Sequence, residues 1–330
     1  MPLRHIVLAI SVAVMWGANF LAIHASLQQF PPYFLVALRF ALLAVPTLLF
    51  VPRPRVKWRW IIAYGLGFGT LQFLFLYWGM AIGMPPGLAS LVLQASAPFT
   101  LILGMLLLRE RVGRVQLVGI LVAVVGLIVV GWYRAESAAI IPFLLVIAGA
   151  LGWAFGNLAS RQAHTTEPFR LAMWMCVIPP LPMLALSLAT EGPHAIADSF
   201  TGLGTDTGVW ALIGLAYTVI IGTVAGSGIW SWLMSRHPAG VVAPFSLLVP
   251  VVGMTTAWLV RGDVPAPLEV LGGVLLVSGV LLGVMRRPAR PRQESSAWTR
   301  REISAIGIER GNTATTTSSA AGSAASGSTP

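Results

Sequence analysis

Ten apolar stretches, each long enough to cross a lipid bilayer, follow one another along this 330-residue chain. A helix needs about 20 residues to span the hydrocarbon. The stretches are too long and too uniformly apolar for barrel strands, and in lipid a helix bonds every backbone group within its own segment. The sequence therefore predicts an all-α integral membrane protein. The predicted spans are residues 6–24, 33–51, 60–80, 85–107, 114–132, 139–158, 169–189, 208–233, 238–260 and 266–285.

Composition and charge agree with a membrane protein. Only 10% of the residues are charged, whereas soluble domains carry about 25%, and the mean hydropathy is +0.81. Of the 21 Lys and Arg residues, 18 fall in segments on one side of the predicted spans. Arg134 and Arg261 fall on the other side, and Arg39 lies within a span. By the positive-inside rule both termini are predicted to be cytoplasmic, and the net charge of +10 needs no nucleic-acid partner.

The two halves of the chain resemble each other in order. Five spans per half is an odd number, so the second half must enter the membrane from the opposite side. Inverted repeats of this kind are common in secondary transporters, which bind substrate between the halves and expose it alternately to the two sides. The matching residues are Gly119 and Gly126 with Gly272 and Gly279 at an offset of 153, and Pro32 and Pro46 with Pro168 and Pro182 at an offset of 136.

These repeats define the predicted organisation of the chain. We expect a first five-span repeat over residues 1–132 and a second over residues 133–286. Residues 287–330 turn basic and then become rich in Ser, Ala and Gly. Such a segment buries too little apolar surface to offset its ordering entropy, so a disordered cytoplasmic tail is predicted there.

Arg39 is the best candidate for a binding residue because it is the one formally charged side chain well inside a span. A charge there costs about 2.5–3.5 kcal/mol on insertion scales. Asn19 should reach a similar depth on the preceding helix, and Gln72 and Gln94 also fall within the membrane. Together they could bind a ligand carboxylate through the paired donors of the guanidinium. Alternatively, Arg39 bonds Asn19 or helix-end carbonyls and only braces the helix hairpin.

Other residues divide between binding and packing. Trp16, Trp153 and Trp230 lie deep in predicted spans and could line a cavity or simply pack. The single cysteine, Cys176, lies in an apolar span and is expected to pack. No Asp, Glu or His occurs in the middle of a span, which argues against simple carboxylate-coupled antiport. The sequence predicts no catalytic residues, metal or cofactor. The expected partners are a small-molecule substrate and membrane lipids.

Five runs of residues form a recognisable set: Trp16-Gly17-Ala18-Asn19-Phe20, Leu38-Arg39-Phe40, residues 83–95, Gly156-Asn157 and residues 243–253. They resemble the EamA-type transporters of the drug/metabolite transporter superfamily, and the resemblance covers about residues 1–286. It implies a ten-span protein of the bacterial inner membrane that exports amino acids or related metabolites, such as cysteine and O-acetylserine. It also implies a cavity inside spans one to four and six to nine, where Asn157 lies with the polar residues above. A broad drug exporter and a non-transporting membrane sensor or scaffold are the alternatives.

Overall fold

The computed structural model describes residues 1–110, 113–136, 139–237 and 239–284, and this part of the chain is helical without strands. Nine of its helices are long and apolar enough to cross a membrane, which confirms the predicted all-α membrane class. A tenth, α10 (Pro267–Val284), is shorter, so a tenth crossing stays a prediction. The predicted tail, residues 287–330, lies outside the described residues. The nine are α1 (Leu3–Leu27), α2 (Pro32–Phe50), α3 (Trp58–Ala81), α4 (Pro86–Leu108), α5 (Arg114–Glu136), α6 (Ile140–Gln162), α7 (Pro168–Thr190), α8 (Asp206–Arg236) and α9 (Ala243–Arg261).

Proline and glycine mark where several helices begin and end. Helices α2, α4, α7 and α10 each begin with a proline. The fixed φ of proline suits the first helical position, and its lack of an amide hydrogen costs no hydrogen bond there, because the first amides of a helix have no intrahelical partner. Helix α9 ends at Gly262, which adopts the left-handed conformation with φ of 72°. Glycine takes this conformation without a Cβ clash, which stops the helix cleanly.

Helices α5 and α10 cross through reciprocal glycine contacts. A methyl group on Gly119 would lie 2.6 Å from the carbonyl oxygen of Gly279, and one on Gly126 would lie 2.6 Å from that of Gly272. The helices therefore run antiparallel with their backbones touching, as small residues permit in membranes. Gly119 contacts Gly279, which is the repeat counterpart of Gly126, and Gly126 contacts Gly272, which is the counterpart of Gly119. This reciprocal pattern is that of a two-fold interface. An inverted duplication predicts this arrangement.

Irregular backbone recurs at corresponding places in the two halves. Helix α3 has a π-helical segment over Gly65–Leu71, and α8 has one over Tyr217–Ala225. In each, a threonine hydroxyl donates to the carbonyl five residues earlier: Thr70 to Gly65 at 3.2 Å and Thr223 to Thr218 at 2.9 Å. Such π-bulges are frequent at functional sites, and in transporters irregular backbone lines the substrate cavity. Short 3₁₀ segments recur likewise, over Leu93–Ala95 in α4 and Ala243–Leu247 in α9.

Acidic side chains fasten helix ends that lie together. Glu191, after α7, accepts hydrogen bonds from the backbone amides of Tyr33 at 2.8 Å and Phe34 at 3.0 Å, in the first turn of α2. A carboxylate is favourable there because the first amides of a helix lack intrahelical partners. Glu269 forms a largely buried ion pair of 2.6 Å with Arg134, which ties the start of α10 to the end of α5.

The Arg134–Glu269 pair should contribute strongly to stability. We expect Glu269→Gln to lower the free energy of unfolding by about 2–4 kcal/mol, because the largely buried Arg134 charge loses this carboxylate. The thermal midpoint in detergent measures this loss. The control is Asp263→Asn, which breaks a more exposed pair with Arg261 and should change the midpoint little. Equal midpoints for the two variants would contradict the prediction.

Candidate functional site

Arg39 lies buried where α2, α3 and α8 meet. Its side chain is 5% exposed. One terminal nitrogen donates to the Tyr77 hydroxyl at 2.9 Å and the other to the Thr223 hydroxyl at 3.0 Å. The guanidinium carbon also lies 4.1 Å from the ring centre of Phe73, close enough for cation–π attraction. Among the described residues Arg39 forms no ion pair with a carboxylate, so this buried positive charge is held by neutral groups alone.

Trp16, Asn19 and Arg39 converge on two consecutive residues of the π-helical segment of α8. The Trp16 indole donates to the Gly222 carbonyl at 2.9 Å, and the next residue, Thr223, bonds Arg39. Asn19 packs directly on Gly222, since a methyl group there would lie 2.7 Å from the Asn19 Oδ1 atom. Glycine is needed at this position because any side chain would displace Asn19. The predicted similar depth of Asn19 and Arg39 agrees with this geometry.

Several buried polar atoms of these helices have no hydrogen-bond partner among the described residues. They are Asn19 Oδ1, Arg39 Nε, Gln72 Oε1 and the hydroxyl of Thr218, which lies in the same π-helical segment as Thr223. Gln72 directly precedes Phe73, whose ring lies against Arg39. Unpartnered buried polar atoms are rare in folded proteins and call for an explanation. These atoms comprise one cationic donor, two amide oxygens that can only accept and one hydroxyl that can do either, and such groups can bind a small molecule that carries a carboxylate and an ammonium group.

The other predicted site residues are distributed around this point. Trp230 packs on Trp16, with ring centres 5.2 Å apart. Trp153 packs on Phe68 at 5.7 Å, and Phe68 in turn contacts Phe73 at 5.9 Å. An aromatic row therefore runs from α6 to the Arg39 side chain.

Two predicted residues have their hydrogen bonds elsewhere. The Gln94 amide donates to the Ser246 carbonyl at 3.3 Å, across the 3₁₀ segments of α4 and α9. The Asn157 amide donates to the Thr100 hydroxyl at 3.1 Å. No described hydrogen bond joins either residue to Arg39. The bracing contacts predicted for Arg39 also differ, because its hydrogen bonds go to Tyr77 and Thr223 and not to Asn19 or a helix-end carbonyl.

The residues that contact Arg39 were not predicted from the sequence. Tyr77 and Phe73 look like ordinary apolar-span aromatics, and Thr223 is one of many membrane threonines. A usable signal was the recurrence of Gly69-Thr70 as Gly222-Thr223 at the offset of 153. The repeat mate of Arg39 is Met175, whose sulfur would lie 3.3 Å from a methyl group on Gly69. The site is therefore charged in one half only.

Comparison with known proteins agrees with this architecture. The EamA-like transporter family matches residues 3–132 and 140–285. A probable amino-acid metabolite efflux pump of Salmonella typhimurium is 39% identical over 293 residues, covering 86% of this chain and 97% of that protein. Its namesake in Escherichia coli is 38% identical, covering 84% and 94%.

More distant relatives extend the comparison. A probable terminal-alkyne amino-acid exporter of Streptantibioticus cattleyicolor is 28% identical, covering 87% of this chain and 95% of that protein. One solved crystal structure shares the fold, with a TM-score of 0.56 at 18% identity and coverage of 84% of this chain and 96% of that chain. Two family matches that together span nearly all of the described residues, with relatives close to 40% identical, establish that this chain belongs to the EamA-like transporter family.

Proposed function

We propose that this protein exports small zwitterionic metabolites, amino acids such as cysteine or O-acetylserine, and that Arg39 binds the substrate carboxylate. The observation that carries the proposal is the buried guanidinium, which has no carboxylate partner in the part of the chain that the structure describes. An uncompensated charge in the membrane interior costs several kcal/mol. Such a residue is expected to serve a ligand that brings the missing negative charge. The substrates named for the related efflux pumps and for the amino-acid exporter belong to the same class.

The unused atoms beside Arg39 extend the proposal to the rest of the substrate. Arg39 Nε is a free donor for a carboxylate oxygen, whereas Asn19 Oδ1 and Gln72 Oε1 are free acceptors for an ammonium group. The faces of Trp16 and Trp230 offer a further site for a cation. Trp153 belongs to the proposed binding residues because the aromatic row connects it to Arg39. Gln94 and Asn157 have hydrogen bonds elsewhere, so they would contact the substrate only after the helices rearrange.

Transport requires such a rearrangement, because Arg39 is closed off from solvent in this structure. We propose alternating access, in which the repeats of residues 1–132 and 133–286 rock against each other in the bacterial inner membrane, with both termini in the cytoplasm. The paired irregular segments of α3 and α8, and of α4 and α9, are the natural places for the movement. Their backbones already depart from the regular α-helix, inside α3, α4 and α8 and at the start of α9.

A broad-specificity drug exporter is the second candidate. The row formed by Trp153, Phe68 and Phe73 would suit a hydrophobic ligand. Many such drugs are cationic amines, however, and a buried guanidinium repels a cation that lacks a carboxylate. The charge of Arg39 therefore favours zwitterionic or anionic substrates over hydrophobic amines.

Reconstitution in liposomes separates these functions. We expect labelled cysteine or O-acetylserine to cross liposomes that contain the protein much faster than protein-free liposomes. Unlabelled amino acids should compete, and hydrophobic amines should not. Flux of hydrophobic amines without flux of amino acids would assign the protein to drug export. Absence of flux for both classes would favour a sensor or scaffold and overturn the proposal.

A further inference from the structure

An apolar groove on the lipid-facing side of the helices matches one leaflet of the bilayer. It has a volume of about 440 Å³ and lies between α3, α4 and α6. From Trp60 to Leu71 it follows α3 for 11 residues, or about 16 Å at 1.5 Å per residue, whereas half of the hydrocarbon core measures about 15 Å. The groove therefore runs from one membrane surface to near the midplane. Its lining includes Trp60, Leu66, Leu71, Leu107, Phe155 and Leu158.

Basic residues cluster at the end of this groove that lies at the membrane surface. Arg59 stacks on Trp60, with its guanidinium carbon 4.7 Å from the ring centre. Arg109 directly follows Leu108, which lines the groove from α4. Both arginines are exposed, and neither forms an ion pair with a carboxylate among the described residues. Arg161, by contrast, is already paired with Glu110.

We propose that this groove, distinct from the Arg39 site, binds an anionic phospholipid of the cytoplasmic leaflet. One acyl chain would fill the apolar lining, and the headgroup phosphate would accept hydrogen bonds from Arg59 and Arg109. Basic pockets between membrane helices on the cytoplasmic side suit anionic headgroups, and each cation near the surface adds to the attraction. The match of groove length to one leaflet, with the charge at the headgroup end, favours a phospholipid over a soluble anion.

Lipid binding to the full chain in detergent can be measured by native mass spectrometry. The probes are phosphatidylglycerol and phosphatidylcholine with the same acyl chains. We expect the wild type to bind phosphatidylglycerol at least about tenfold more tightly than phosphatidylcholine. The double variant Arg59→Gln/Arg109→Gln should lose this preference, because both phosphate donors are gone. Ala63→Trp should weaken both lipids, because the indole fills the groove.

The matched control is Arg55→Gln/Lys57→Gln, which removes two exposed cations from the segment between α2 and α3 that do not line the groove. This control should retain the lipid preference within about twofold. If it loses the preference as fully as the groove variant, general charge near the membrane explains the binding and the site is excluded. Equal affinity of the wild type for both lipids, or unchanged binding by Ala63→Trp, would also overturn the proposal.

Discussion

Replacement of Arg39 by methionine should abolish amino-acid export while the protein still inserts and folds. Hydrogen bonds between membrane helices contribute about 0.6 kcal/mol each on average and up to about 1.7 kcal/mol, so the bonds of the charged Arg39 to Tyr77 and Thr223 account for about 1–3.5 kcal/mol. Removing the buried charge relieves an insertion cost of about 2.5–3.5 kcal/mol. The variant should therefore melt at or above the wild-type temperature. The corresponding residue of the second half is Met175, so methionine is the replacement that copies the repeat counterpart.

The transport loss should be large because hydrogen bonds to a charged group contribute about 1.5–3 kcal/mol each. Loss of the carboxylate contact should lower export of cysteine or O-acetylserine in liposomes by about 100-fold. Arg39→Lys should keep a fraction of the flux at raised KM, because lysine retains the charge without the planar fork. The control is Arg114→Met, which removes an exposed arginine at the start of α5.

Two outcomes would contradict a substrate role for Arg39. If Arg39→Met and Arg39→Lys both melt well below the wild type, and lose activity in parallel, then Arg39 braces the helices. If the methionine variant is stable and exports at the full rate, then Arg39 lies outside the binding site. A methionine variant that is stable but inactive would support the substrate role, and it would exclude both the bracing role and a position outside the binding site.

The second large effect is expected at the crossing of α5 and α10. In Gly126→Ala the new methyl group would lie 2.6 Å from both the Gly272 carbonyl oxygen and the Leu276 amide nitrogen. Backbone atoms cannot rotate away as a side chain can, so the helices must separate. Overpacking of this kind costs about 1–3 kcal/mol or more. We expect the thermal midpoint in detergent to fall by about 5 °C or more.

The repeat supplies a second variant with the same expectation. Gly279 is the counterpart of Gly126, and a methyl group there would lie 2.4 Å from the Ala123 amide nitrogen. Gly279→Ala should therefore destabilise the protein similarly. The control is Gly228→Ala in α8, where the nearest atom is a Phe169 ring carbon at 3.6 Å, an ordinary contact. If Gly126→Ala has the same thermal midpoint as this control, then α5 and α10 do not cross as closely as the structure shows.

The helices could be predicted from the sequence because their signals are local. Apolar length predicted ten spans, of which the structure confirms nine among the described residues, and prolines such as Pro32 and Pro86 mark helix starts. The weak repeat identified Gly119 and Gly126 as counterparts of Gly272 and Gly279. It could not show that the four pack against one another, because correspondence within a duplication carries no information about contact.

The candidate site was only partly predictable because its contacts join distant parts of the chain. The cost of a buried charge singled out Arg39 from the sequence alone. Its partner Thr223 lies 184 residues away, in a π-helical segment that no composition rule indicates. Asn157 is a similar case, since its amide found a partner on another helix, Thr100 of α4, 57 residues away. A polar residue in a span therefore indicates a need for a partner without identifying that partner.

The most direct test of the account compares cysteine with cysteamine, which lacks only the carboxylate. Both are offered to liposomes containing the wild type or Arg39→Met. The account predicts that the wild type exports cysteine far faster than cysteamine, and that Arg39→Met lowers cysteine flux to the slow cysteamine rate without lowering cysteamine flux further. Equal wild-type rates for the two compounds, or equal loss of both in Arg39→Met, would contradict carboxylate recognition by Arg39.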